Sequence, residues 1–189
     1  VKALLFFLFD SLALSNVRSS SSNQIKLILI IRQDAIGDFV MWLDTAKEYR
    51  KLYPPEKYEL VLIGNELWCS LAKQLPYWDK VIQVNVKQFK TFSRYRWKIL
   101  RKIRKLKIET AIQPTFSREF YNGDALIRAS RARRKVSSDG DMSNRDWLKK
   151  ILSDRWHTDL IPASPDPMTE LERNAEFFSG LSSSPYSAS

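Results

Sequence analysis

The chain has 189 residues, 44% of them hydrophobic and 28% charged, a composition that excludes a disordered, collagen-like or coiled-coil chain and leaves room for one sizeable domain. Net charge is +10, and all of the excess lies in residues 87–135, where 16 basic residues face 3 acidic ones, a net of +13. That segment predicts a local field for an anionic partner, whether nucleic acid, membrane surface or phosphorylated ligand.

Residues 1–16, VKALLFFLFDSLALSN, are strongly apolar, but the run is too short to span a bilayer and Asp10 interrupts it. Two readings stay open: a signal peptide with Lys2 as a thin basic start, or a helix lying in the cytoplasmic membrane interface. The second is preferred, because the chain from residue 25 onward reads as a cytosolic nucleotide-type fold. Ser-rich residues 18–24 form a linker, so 1–24 stand apart from the domain.

Lys26–Ile31 is a β-branched run of buried parallel-strand type. It enters a loop, Arg32–Asp38, and then an apolar-periodic helix, Phe39–Leu52, which Pro54 and Pro55 stop. Strand Tyr58–Ile63, helix Glu66–Leu75, strand Lys80–Val86, helix Phe89–Leu106, strand Glu109–Gln113 and helix Glu119–Ser130 continue the alternation. Beyond Asp139 only helices at 144–152 and 168–181 are expected, with residues 182–189 a disordered tail. Alternating elements of these lengths predict an α/β fold: a Rossmann-like parallel sheet with helices on both faces, over residues 25–181.

In such a sheet ligands bind beyond the carboxyl ends of the strands. The Arg32–Asp38 loop is there, with Gly37 for a tight turn and Asp38 at the start of the next helix. Asp38 reads either as a simple N-cap or as a carboxylate placed to take a proton from an acceptor hydroxyl. Asp34 is a weaker candidate for the same cleft. Five scattered glycines supply neither a dinucleotide fingerprint nor a P-loop, and no nucleophile elbow is present. One cysteine, Cys69, and one histidine, His157, exclude a disulfide framework and the usual zinc sets and fit a reducing compartment. Cys69, among Leu67, Trp68 and Leu71, reads as a buried helix position.

Residues 87–107 hold 10 basic residues and no acidic one. An inward apolar stripe explains the aromatic and aliphatic positions. The one-sided solvated face, with Lys98, Arg101, Lys102 and Lys105, suits an anionic membrane. A second cluster, Arg128, Arg131, Arg133, Arg134 and Lys135, closes the helix before it, either as a response to the helix dipole or as an anion clamp.

Taken together, these segments resemble glycosyltransferase family 9, the lipopolysaccharide heptosyltransferase family. Ile28-Leu-Ile-Ile-Arg-Gln-Asp-Ala-Ile-Gly-Asp38 is similar to the family's opening strand and its R-x-D/S-x-(I/M)-G-D loop. Leu52-Tyr-Pro54, Pro76-Tyr-Trp-Asp-Lys-Val-Ile82 and Ile112-Gln113 resemble further family segments. The resemblance implies the amino-terminal half of a GT-B fold and metal-independent transfer of a sugar from a nucleotide-sugar donor to a lipopolysaccharide core or related glycan acceptor, without a cofactor. It also implies Asp38 as general base, with Arg32, Asp34, Gly37, Gln113, Arg118 and Arg145 on the acceptor side. The implied setting is the cytoplasmic face of the inner membrane, where the acceptor is an anionic lipid-linked glycan. The chain ends near where the linker to the family's donor-binding domain begins, so transfer by this chain alone is not expected. A non-catalytic module for a membrane surface or anionic acceptor is the alternative, and a nucleic-acid-binding domain a weaker third.

Overall fold

The computed structural model describes residues 2–15 and 25–188. The expected linker at 18–24 lies outside them. Six strands form one all-parallel sheet: β1 (Lys26–Ile31), β2 (Tyr58–Asn65), β3 (Lys80–Val84), β4 (Ile108–Gln113), β5 (Arg134–Ser138) and β6 (Asp159–Ile161), in the order β3-β2-β1-β4-β5-β6. The helices are α1 (Lys2–Leu14), α2 (Ile36–Leu52), α3 (Cys69–Ala72), α4 (Val86–Phe89), α5 (Arg94–Lys105), α6 (Gly123–Ser130), α7 (Trp147–Asp154) and α8 (Glu170–Ser182). This is the Rossmann-like α/β fold expected from the alternation.

Strand alternation divides the core in two. Ile28, Ile30, Leu60 and Leu62 face one side, where α2 supplies Phe39, Trp42, Ala46 and Tyr49 at helical spacing and α8 adds Phe177, Phe178 and Leu181. Leu29, Ile31, Val61 and Ile63 face the other, against Ile99, Leu100 and Ile103 of α5, Leu126 and Ile127 of α6, and Ala13 and Leu14 of α1.

Several elements differ from the sequence expectation. The apolar start does not stand apart from the domain: α1 docks on α5, with Phe6 stacked on Phe92 at 3.9 Å and Phe9 edge-on to Trp97 at 5.4 Å. The long basic helix is broken at 90–93, because Ser93 caps α5 by accepting from the Arg96 amide. β5 and β6 were not expected; Arg134 and Lys135 belong to β5 rather than to a helix end. Helix α6 starts at Gly123 rather than Glu119, and it packs there so closely on β4 that a Cβ would meet the Gln113 side-chain nitrogen at 2.2 Å. At 182–188 the chain returns to the domain: Tyr186 donates to Asp44 Oδ2 at 2.8 Å and lies edge-on to Phe178. Cys69 is buried as expected, its thiol pushed up to about 11 chiefly by desolvation.

At the end of β2, Gly64 meets the Trp68 ring, which would lie 2.4 Å from an added Cβ. Trp68 is held by stacking on Phe39 at 4.0 Å and by donating to the Asp34 carbonyl at 3.0 Å. Gly64→Ala is therefore expected to cost about 1–3 kcal/mol, as overpacking of a fixed ring does. Urea denaturation checks this, and a wild-type midpoint would show that the ring yields.

Candidate functional site

β1 lies between β2 and β4, and α2 returns over one face while the connections from β4 cover the other. The carboxyl ends of β1 and β4 therefore border the crevice of this sheet. The Arg32–Asp38 loop opens onto it. α2 begins without a side-chain cap, its N-cap being Ala35, so Asp38 stands in the first turn of the helix and is not the cap the simpler reading assigns it.

Arg32 is fully buried and organises this end of the sheet. Its Nη1 donates to Asn174 Oδ1 at 2.7 Å and its Nη2 to Glu170 Oε1 at 2.5 Å, both on α8. Nε lies 3.0 Å from Asp34 Oδ2, and the guanidinium sits 5.1 Å from the centre of the Trp42 ring. Thr115, after β4, donates to Asp34 at 3.2 Å. Burial raises the Asp34 carboxyl above its ordinary value; Arg32 opposes the shift, while Glu170 and Asp38 add to it.

Asp38 differs from Asp34. It is half-exposed in the first turn of α2, and its carboxylate makes no hydrogen bond or ion pair among the described residues. Gly37, beside it, is exposed and has open space where a side chain would stand. Its backbone is not in the left-handed region, so the tight-turn role expected for it does not apply. What its lack of a side chain does here is leave the helix start uncovered.

Next to Asp34 a small polar cavity of about 20 Å³ is lined by Gln33, Gln113, Thr115 and Asn122, enough for one water-sized group. Neither amide atom of buried Gln33 nor Asn122 Oδ1 has a hydrogen-bond partner among the described residues. Gln33, Thr115 and Asn122, with Glu170 and Asn174 of α8, escape the sequence reading. Gln33 and Thr115 have a sequence signal, their places in loops that follow predicted strands.

The structure thus brings Arg32, Asp34, Gly37, Asp38 and Gln113 to one end of the sheet. It commits Arg118 and Arg145 to a buried ionic cluster. Arg118 pairs with Asp154 and lies 3.6 Å from Asp124; Arg145 Nη1 lies 3.5 Å from Asp124 and 3.4 Å from Asp154. Arg145 also donates to the carbonyls of Asp139 and Asp141. The reason is Asp124, a fully buried carboxylate on α6 that needs cationic partners. Neither guanidinium is presented to the crevice as an acceptor clamp. Lys98, Lys102 and Lys105 are exposed on α5, and Arg101 is half-buried.

His157 belongs to the same cluster. Its Nδ1 donates to the Ser153 carbonyl at 2.9 Å, and its Nε2 faces Arg118 Nη1 at 3.5 Å. Burial, with the charges of Arg118 and Arg145, pushes it down to about 3, while the Ser153 carbonyl and Asp154 pull the other way. Unfolded, it titrates near 6.5. Between these values the unfolded chain binds a proton that the fold refuses, so stability is intact above about pH 6.5 and falls as pH drops towards 3. Asp124, raised by burial, acts with the opposite sign, so the test is a difference. The stability of wild type relative to His157→Gln, from urea melts at about pH 7 and about pH 4.5, is expected to shrink at the lower pH. A constant difference would show the imidazole to be solvated.

No protein-family model matches the chain, and no curated protein matches it. Among solved structures it is similar to an Escherichia coli heptosyltransferase solved with ADP, at TM-score 0.58 and 15% identity over 81% of this chain and 46% of that one. It is also similar to a glycosyl transferase of family 9 from Veillonella parvula, at TM-score 0.63 and 16% identity over 87% and 43%. The E. coli ADP-heptose lipopolysaccharide heptosyltransferase II gives TM-score 0.54 and 13% identity over 81% and 40%. The likeness is one of fold, that of a Rossmann-like domain of GT-B glycosyltransferases, and the chain spans less than half of each of these structures.

Proposed function

We propose that this chain is the amino-terminal, acceptor-side half of a glycosyltransferase of the heptosyltransferase type. In this reading it presents a lipopolysaccharide core or related glycan to a sugar nucleotide held by a donor-binding domain. The observation that carries the reading is the Asp38 carboxylate, half-exposed and unpaired at the crevice while its neighbour Asp34 is committed to Arg32 and Thr115. The fold supports it, as do the structural neighbours, whose names include ADP and ADP-heptose.

The chemistry rests on that placement. An acceptor hydroxyl donates to Asp38. As its oxygen bonds to the anomeric carbon of the donor, its proton passes to the carboxylate and the nucleotide diphosphate leaves with the electron pair of the broken bond. Asp34, Glu170 and Asn174 hold Arg32 and through it the loop; the unpartnered amide of Gln33 and Asn122 Oδ1 offer hydrogen bonds to a polar group of the acceptor. The reading keeps the metal-independent route implied by the family resemblance. It is tested by joining the chain to a family 9 donor-binding domain and following transfer to lipid-linked glycans by mass spectrometry. Mass gain of one sugar is expected; hydrolysis of the sugar nucleotide without transfer to any glycan would count against it.

A further inference from the structure

Outside the crevice the least explained feature is α1. It is apolar on every side, yet the domain covers only half of it. Phe6, Asp10, Ala13 and Leu14 face inward. On the opposite side Leu4, Leu5, Leu8 and Leu12 form a ridge, with Leu4 61% and Leu12 63% exposed. The helix has 13 residues, and no helix among the described residues is long and apolar enough to cross a membrane.

Along one flank of the ridge lies a basic pocket of about 290 Å³ lined by Ser11, Leu14, Ser15, Arg104, Arg128 and Arg131, with no acidic residue in its wall. α1 itself accounts for part of this: Arg128 donates to the Phe7 carbonyl at mid-helix and to Ser11 Oγ at 2.6 Å. It does not account for Arg104, whose buried Nε has no hydrogen-bond partner among the described residues. Burial and the charges of Arg131 and Arg128 push Arg104 down to about 10; burial also lowers Arg128, with Asp10 acting in the opposite direction. Along the other flank Lys2 and Lys149 sit over the Tyr121 ring, beside Leu148 and Ile151, and Lys149 is paired with Asp146.

We infer that this face is a docking surface for an anionic lipid bilayer, in which the leucine ridge of α1 enters the interface and the Arg104–Arg128–Arg131 pocket receives a lipid phosphate. A leucine ridge beside a purely basic pocket matches the layering of a membrane interface, where acyl chains lie beneath negative headgroups. A nucleic acid would satisfy the arginines and leave the leucines in water. A second copy of the chain would cover the leucines but bring two basic rims together. The inference stands on these residues alone and does not depend on the glycosyl-transfer reading.

The test is flotation of the full chain with vesicles of phosphatidylcholine alone and of phosphatidylcholine with an equal part of phosphatidylglycerol. Binding to the anionic vesicles is expected, weakening with salt. A triple variant, Leu4→Ser, Leu8→Ser and Leu12→Ser, is expected to lose at least about a hundredfold in partitioning. The three side chains are exposed, so its thermal melt should match wild type. Arg104→Gln is expected to lose about fivefold on anionic vesicles and nothing on neutral ones. Absence of flotation with either vesicle would overturn the inference, and so would a leucine variant that floats like wild type. Tighter binding to single- or double-stranded nucleic acid at matched salt, insensitive to the leucines, would assign the face to that partner instead. A concentration-dependent dimer abolished by the leucine variant, without vesicle binding, would assign it to self-association.

Discussion

Arg96→Ala is expected to remove about 3–5 kcal/mol of folding stability, the cost of leaving one member of a buried ion pair without the other. Arg96 is fully buried on α5. Its Nε and Nη2 reach the two oxygens of Asp10 on α1 at 2.7 and 2.5 Å. Its Nη1 donates to the carbonyls of Phe89 and Tyr121, each at 2.7 Å, and the guanidinium lies 4.9 Å from the Phe6 ring and 4.5 Å from that of Phe89. One side chain thus ties α1, the end of α4 and the approach to α6 to α5. Its loss strands a carboxylate and two carbonyls away from water.

A double variant, Asp10→Asn with Arg96→Met, removes both charges and is expected to recover part of the loss, which the single changes cannot do. Urea melts of wild type, Arg96→Ala, the two single changes and the double variant read this out. A loss under about 1 kcal/mol for Arg96→Ala is what a solvated pair gives, and it would mean that α1 does not dock as described.

That pair also shows what the sequence carries and what it withholds. β1 and β2 are legible because each is a run of mostly apolar residues at the sheet centre, and β4 because Ile108, Ala111 and Ile112 keep it half apolar there. β5 is not, since Val136 is its only apolar residue and its buried Ser137 earns that place through the long contact of its Oγ with Gln113 Oε1, at 3.5 Å. β6, three residues at the sheet edge, gives no period to read. Asp10 looks like an interruption of a membrane-seeking run because its partner lies 86 residues away. The same holds at the crevice. Loop 32–38 is marked by its place after a strand, while Glu170 and Asn174, 138 and 142 residues from Arg32, come from a segment that reads only as a helix. Arg118 and Arg145 are expected on the acceptor side only through the family resemblance. The anion they meet is Asp124, inside their own domain.

With the chain joined to a donor-binding domain, Asp38→Asn is expected to lower kcat by about 10²–10⁴-fold with little change in the KM for the acceptor glycan. The amide keeps the shape and still hydrogen-bonds, but cannot take the proton as the acceptor oxygen attacks. Asp34→Asn is the contrast. Asp34 is engaged by Arg32 and Thr115, so its replacement is expected to loosen the loop and appear mainly as lost stability and a raised KM. Steady-state rates for both variants, with urea melts, separate the two roles. An Asp38→Asn enzyme within about twofold of wild type, beside an Asp34→Asn enzyme that binds acceptor normally and does not turn over, would move the base to Asp34. The geometry favours Asp38 because a base must be reachable by the hydroxyl it serves. Both carboxylates are partly exposed, but only Asp38 has neither oxygen engaged by a described residue, whereas Asp34 is held by Arg32 and Thr115.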